Sequence, residues 1–466
     1  MKKRIFATLM VVAMAMGTLA GCGGSSSSDT SSNDTSSSND TSSDSSAAAP
    51  AESSGEAGSV YYLNFKPEVA EVWEELAEVY TAETGVEVKV VTAAGGNYET
   101  TLKSEIAKKD APTLFQINGP VGYEAWKDYC ADLSGTDFYG VLSDQELAIT
   151  GADGGVYGVP YTIEGYGIIY NDAIMRAYFA MDGAVVSSID EINSYDTLKA
   201  VTDDMQNKKD DLGIRGVFAS TSLLPGEDWR WQTHLANMPF YGEFDDKGVS
   251  DLDAIDFTYS ENMKNIFDLY ITNSTVAPTM LGSKGVNDSM AEFAMGQAAM
   301  VQNGNWGWGQ INGIDGNTVA AEDVKFLPIY VGLDGEEDMG LCIGTENYFS
   351  INSQVSAENQ QASIDFVNWL VSSDTGKDYM TNQLGNVAPF TTFGADEKPA
   401  DPLAKSMLEN MESGVTSVPW VFQVFPSQTF KDNFGSALLE YAQGNENWAY
   451  VEKLVIDQWA AEKAAQ

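Results

Sequence analysis

The chain has 466 residues, with 68 Asp and Glu against 25 Lys and Arg, a formal net charge of −43 and a pI near 4.1. At 43% hydrophobic and 11% aromatic it is too apolar for a disordered chain, and it is long enough for two domains with separate cores. The charge argues against a nucleic-acid binder and against electrostatic docking on anionic lipid, and the single histidine, His234, rules out paired-histidine metal or catalytic sites.

Residues 1–22 read as an address. Lys2, Lys3 and Arg4 precede an apolar stretch from Ile5 to Met16 that is too short to span a bilayer comfortably. Leu19-Ala20-Gly21-Cys22 follows, and this run resembles a bacterial lipobox. That resemblance implies that the Cys22 thiol takes a diacylglycerol and becomes the mature N-terminus. The expected location is the extracellular face of the cell membrane, on a lipid anchor, since no later stretch is apolar for long enough to cross a bilayer. Residues 23–58 are mostly Ser, Asp, Thr, Asn, Ala and Gly, which cannot bury enough apolar surface to offset chain entropy. They are expected to form a tether with an r.m.s. reach of about 30–36 Å. Cys130 and Cys342 then remain, too far apart in sequence to establish a bridge, and are expected to be buried free thiols.

Order is expected from Ser59. Val60–Phe65 reads as a strand, and Pro67 suits the first turn of a helix. Val69, Val72, Trp73, Leu76 and Tyr80 follow at helical spacing until Gly85. A strand over 86–92, a helix over 98–109 and a strand over 112–117 complete a strand–helix–strand–helix–strand run, the pattern of a parallel sheet with right-handed crossovers. Its binding loops belong at the carboxyl ends of the strands. Further on, the pattern predicts strands over 167–170, 213–219, 298–302, 323–329 and 348–352. Helices are predicted over 172–181, 197–208, 257–271, 287–295, 357–371 and 374–384, with a mainly helical region from Asp401.

No P-loop, EF-hand loop or Gly-x-Ser-x-Gly elbow is present, and no cofactor or metal is expected. A facing carboxylate pair, as in a glycosidase, is compatible with so many acids, but no local run picks one out. The recurrent signal is polar residues beside aromatics and glycines: Asp228-Trp229-Arg230-Trp231, Asn303 to Trp308, Glu164-Gly165-Tyr166 and Pro419-Trp420. Sugar rings have apolar faces and polar rims, so a pocket for them needs flat aromatics and planar polar groups.

Four stretches carry a resemblance to the extracellular solute-binding proteins of sugar ABC importers, the family of maltose-binding protein. They are the helix and strand over 69–90, the run Tyr157–Asn171, the run Phe293–Trp306, and Tyr348–Asn352 with the helix to Trp369 and Thr375–Tyr379. The resemblance implies a two-lobed α/β fold of the periplasmic-binding-protein type II class. The N-terminal lobe would take 59–162 plus 345–388, and the C-terminal lobe 166–340 plus 392–466. Chain crossings are implied near 161–167, 340–347 and 386–392. The resemblance also implies a binding protein and not an enzyme. A neutral carbohydrate, expected to be an oligosaccharide, would be captured between the lobes and delivered to the permease subunits by a monomer. An extracellular glycosidase, or the same fold binding a non-sugar solute such as a polyamine, stand as rivals.

By the same resemblance Glu164 matches an acidic ligand contact at the first crossing, and Trp306 an aromatic platform. Lys66, Asn118 and Tyr123 fall in loops at strand ends where relatives contact ligand, although Gly119-Pro120 stands where some relatives carry charged contacts. Trp231 and Trp420 are expected second-lobe platforms, and Asn97 and Asn347 expected amide donors.

Overall fold

The computed structural model describes residues 58–93, 97–220 and 222–465. Cys22 and the expected tether as far as residue 57 lie outside them. The strands are β1 (Val60–Asn64), β2 (Val88–Thr92), β3 (Leu114–Ile117), β4 (Ile149–Thr150), β5 (Val156–Pro160), β6 (Glu164–Asn171), β7 (Gly216–Phe218), β8 (Ala298–Gly304), β9 (Val324–Leu327), β10 (Met339–Gly344), β11 (Tyr348–Ile351) and β12 (Thr416–Pro419). They form two six-stranded sheets. The first has the order β2-β1-β3-β11-β5-β4, and the second β12-β10-β6-β8-β7 with β9 also on β6.

The first sheet starts as the sequence pattern requires. β1 pairs in parallel with β2, Val60 opposite Val88, and with β3. The helix Ala70–Thr84 crosses between β1 and β2, burying Trp73, Leu76, Ala77 and Tyr80. It stops at Gly85, whose φ of +76° is the left-handed cap that glycine adopts without steric cost. The next helix ends at Glu105, short of the expected 109. The amide of Lys108 turns back to the Glu105 carbonyl, and Pro112 disfavours helix in the residue before it.

Each sheet has its own core. Tyr62, Trp73, Tyr80, Phe349 and Phe366 pack on one face of the first sheet, and Leu63, Phe115 and Trp126 on the other. In the second lobe Phe218, Phe240, Phe267 and Trp459 pack on one face, and Ile169, Phe293 and Val301 on the other. Each such side chain contributes roughly 1.5–3 kcal/mol by burial. The helix Ala236–Lys247 escaped the sequence reading because it contains Pro239 and is buried nearly all round, which erases the amphipathic period. Cys130 and Cys342 are buried free thiols in different cores. Burial pushes them up to about 11 and about 12.

The chain passes from the first sheet to the second between β5 and β6 and returns between β10 and β11. The third passage falls later than the expected 386–392. Val387 and Phe390 bridge to Ile163 and Leu142, and the Thr391 amide bonds to the Val141 carbonyl at 2.8 Å, which holds this segment on the first lobe. Leu403 is already in a second-lobe core. No helix among the described residues is long and apolar enough to cross a membrane.

Candidate functional site

The first two passages bring distant residues together. Lys66 follows β1 in a tight turn: the Asn64 side-chain Nδ2 donates to the Lys66 carbonyl at 2.9 Å, and the Lys66 backbone amide donates back to Asn64 Oδ1 at 3.0 Å. The turn aims the Lys66 ammonium at Glu164, the first residue of β6, and the two form an ion pair. Asn347, between β10 and β11, donates to the other Glu164 oxygen at 2.5 Å. Lys66, Glu164 and Asn347 are 9%, 4% and 0% exposed. Burial alone would lower the Lys66 pKa, but the charges of Glu164 and Glu68 outweigh it and hold the ammonium above its usual value. Tyr161 extends the group. Its hydroxyl accepts from Gln116 at 2.5 Å and lies 3.4 Å from Asn347 Oδ1.

Beside this polar hinge group runs an aromatic strip on the second lobe. His234 stacks on Tyr166 with centroids 4.0 Å apart and rings 3° from parallel. Trp306 lies 5.6 Å from His234 and 6.1 Å from Trp229, and Phe422 lies 5.2 Å from His234. Trp420 is 5.6 Å from Tyr166. Two glycines make room: a Cβ at Gly304 would come within 2.2 Å of the Trp306 ring, and one at Gly344 within 2.6 Å of the Trp420 ring. Burial, reinforced by Arg230 and Lys431, pushes the His234 imidazole well below its usual pKa, so the ring stays neutral. Hinge group and strip meet where the Lys66 ammonium stands 5.7 Å over the Trp306 ring. Lys66, Glu68, Glu164, Trp306 and Asn386 line a shared gap there, so both lobes contribute to it.

A second polar group lies across the lobes beside the strip. Lys431 is 7% exposed and stands 6.0 Å from the Phe422 ring. Burial lowers its pKa against the opposing charges of Glu346 and Glu99. Burial likewise raises half-buried Glu346 above the usual carboxylate range.

Of the residues expected from sequence, Lys66, Glu164, Asn347 and Trp306 converge, and Trp420 lies in the adjoining strip. Trp231 does not. It is 1% exposed and packs edge-on against Phe267 at 5.1 Å and Tyr270 at 5.5 Å, so it is a core residue and not a platform. The π-helical turn Arg230–Leu235 separates neighbours, with Arg230 stacked on Trp229 and His234 in the strip while Trp231 points into the core. Tyr123 does not join this group: its partly exposed ring stacks on Tyr157 at 5.2 Å within the first lobe. Asn118 is half-buried at the start of the helix Gly119–Trp126, and Asn97 is exposed at the start of the helix Tyr98–Glu105.

Sequence reasoning missed Trp229, Arg230, His234 and Lys431. The Asp228–Trp231 run flagged the region, but only the turn geometry tells Trp229 from Trp231. Nothing local distinguishes Lys431 from other lysines on helices. Among the described residues no three His, Cys, Asp or Glu are grouped to hold a metal.

Residues 75–405 match the family model described as bacterial extracellular solute-binding protein. No curated protein matches in sequence. Solved structures do match in fold. A chitin oligosaccharide binding protein is 17% identical, with a TM-score of 0.69 over 88% of this chain and 100% of that one. RafE in complex with raffinose is 16% identical, with 0.67 over 87% and 99%. Maltose-bound MalE3 of T. maritima is 14% identical, with 0.64 over 86% and 99%. Two α/β lobes, crossing segments between them and a cleft lined from both sides fit that company, and the chain belongs to the bacterial extracellular solute-binding proteins.

Proposed function

We propose that this chain is the lipid-anchored, extracellular binding component of an ABC importer, that it captures an oligosaccharide between its lobes and that it delivers it to the permease as a monomer. The observation that carries this reading is the aromatic strip around Trp306 set against the hinge group of Lys66, Glu164 and Asn347. Rings offer a flat apolar face to sugar C–H groups, while the hinge amide and charges suit hydroxyls. The fold neighbours named above bind raffinose, chitin oligosaccharide and maltose, which supports the ligand class.

The mechanism is hinge closure. A ligand that touches both lobes binds the closed form better and shifts the population toward it, and the permease reads the closed form. No bond is made or broken. A thermal-shift screen against mono- and oligosaccharides tests this. A ligand at 100 times its dissociation constant adds about 2.7 kcal/mol, a readable shift. Stabilisation by a polyamine and by no saccharide would overturn the sugar reading. Release of reducing ends would make the chain a glycosidase instead.

A further inference from the structure

Three cations are buried where the lobes meet, and they are not compensated alike. Lys66 contacts a carboxylate directly. Arg230 is only 4% exposed, yet among the described residues no carboxylate lies within ion-pair distance of it. Its Nε donates to Asn303 Oδ1 at 3.2 Å, and Nη1 reaches the Glu227 carbonyl at 3.5 Å. Its guanidinium carbon stands 3.9 Å from the Trp229 ring centroid. The Glu227 carboxylate is engaged elsewhere, accepting from the Val286 amide at 2.5 Å. Arg176 shows the contrast, since it is half-exposed and still contacts two carboxylates, Asp172 and Asp323.

A guanidinium taken out of water without a counter-ion is costly, and natural structures ordinarily pair it. Burial pulls the Arg230 pKa down to about 10, with Glu227 and Glu68 opposing from beyond contact. Even so, the group is fully charged at neutral pH. Glu68, from the first lobe, lines the gap beside Trp306, and Arg230 lies one ring away from Trp306. Trp229 bridges the two, stacked on Arg230 and 6.1 Å from Trp306. Lys431 supplies a second buried cation near His234.

We propose that Arg230 receives an anionic substituent of the ligand, the carboxylate of a uronic sugar, while Trp306 takes the face of the sugar ring. The planar fork of arginine matches a carboxylate with two parallel hydrogen bonds, which a lone hydroxyl does not exploit. The ligand class is then an acidic oligosaccharide, against the neutral one expected from sequence. Of the protein's many acids, exposed ones beyond about 8 Å are largely screened at physiological salt, and in the gap itself Glu164 is paired with Lys66, which leaves Glu68 to oppose the ligand.

This inference rests on the carbohydrate function proposed above, and the test separates the two. The full chain is titrated by calorimetry with trisaccharides of glucuronic, galacturonic and mannuronic acid, with their methyl esters, and with the corresponding neutral trisaccharides. One acidic series is expected to bind, to lose about 30-fold or more on esterification, and to weaken as salt rises. Arg230→Gln is expected to weaken the acidic ligand about 30-fold and to remove its preference over the ester, with an unchanged near-UV spectrum. Esters or neutral sugars binding as tightly as the acids would overturn the inference and leave the carbohydrate function standing. So would an Arg230→Gln variant that weakens acidic and neutral ligands equally. No binding by any saccharide overturns both. If Arg230→Gln fails to fold, the acid–ester comparison on the unmodified chain decides alone.

Discussion

The hinge group and the aromatic strip meet at Trp306 but are assembled differently. Lys66, Glu164 and Asn347 come from three separate segments and meet only because the chain passes twice between the sheets. The strip is a second-lobe structure: Tyr166, Trp229, His234, Trp306, Trp420 and Phe422 all belong to elements on or beside the second sheet. In the proposed closure the first group would be the one affected, because its partners sit on the first lobe and on the crossing segments. The strip is a preformed platform whose rings hold one another. One lobe thus supplies the rings, and the junction between the lobes supplies the polar contacts.

That contrast can be broken from its weakest joint. Trp231 sits behind the strip in the core, so Trp231→Ala should cost about 3–5 kcal/mol of stability in denaturant unfolding, with little change in affinity for whatever ligand the folded fraction binds. A selective loss of affinity with unchanged stability would return Trp231 to the cleft. In the hinge group, Glu164→Gln should lower stability by about 3 kcal/mol, because Lys66 then loses its only direct counter-ion among the described residues while remaining buried. The amide keeps a planar acceptor, so affinity should fall less than stability suggests. Calorimetry and unfolding on the same preparation separate the two effects.

The strip's support has its own pH signature. Asp228 is buried near Asp432, and burial raises its carboxyl from 3.8 to about 6. The folded state therefore holds a proton that the unfolded chain has released between about pH 4 and pH 6. Its contribution to stability should decline as pH rises through that window, by roughly 2–3 kcal/mol at most. Asp228→Asn should flatten that part of the stability–pH curve, and an unchanged curve would reject the assignment. On the binding side, Trp306→Ala should weaken sugar binding by about 2 kcal/mol, or some 30-fold, while moving the melting transition far less than Trp231→Ala does. Unchanged affinity would remove Trp306 from the site. The smallest effect belongs to Tyr123→Ala, which loses a stacked contact with Tyr157 on the first lobe. It should cost no more than about 1.5 kcal/mol of stability and nothing in affinity.

Legibility in the sequence followed the range of the interactions. The β1–helix–β2–helix–β3 unit could be read because period-2 and period-3.6 patterns, Pro67 and Gly85 are local signals. Glu164 and Trp306 could be read through the resemblance, since each sits in a run of matching residues. Arg230 and Trp231 are adjacent in one flagged run and have opposite fates, which no composition rule separates. The helix Ala236–Lys247 was invisible for the opposite reason, being buried nearly all round until its last turn.

The sequence by itself determined two α/β lobes, a chain too acidic for nucleic acid, and a cleft of aromatics and amides with no paired-histidine chemistry. The charge and histidine exclusions follow from composition and the α/β pattern from local periodicity, while the two lobes and the cleft between them came only through the family resemblance. Only the tertiary structure decided that Trp306 lines the gap while Trp231 is core, that Glu164 is shared between Lys66 and Asn347, and that Arg230 is buried with no counter-ion among the described residues. The reason is physical. Pairing and burial are set by contacts between segments far apart in the chain, and a charge count carries no record of which charges meet.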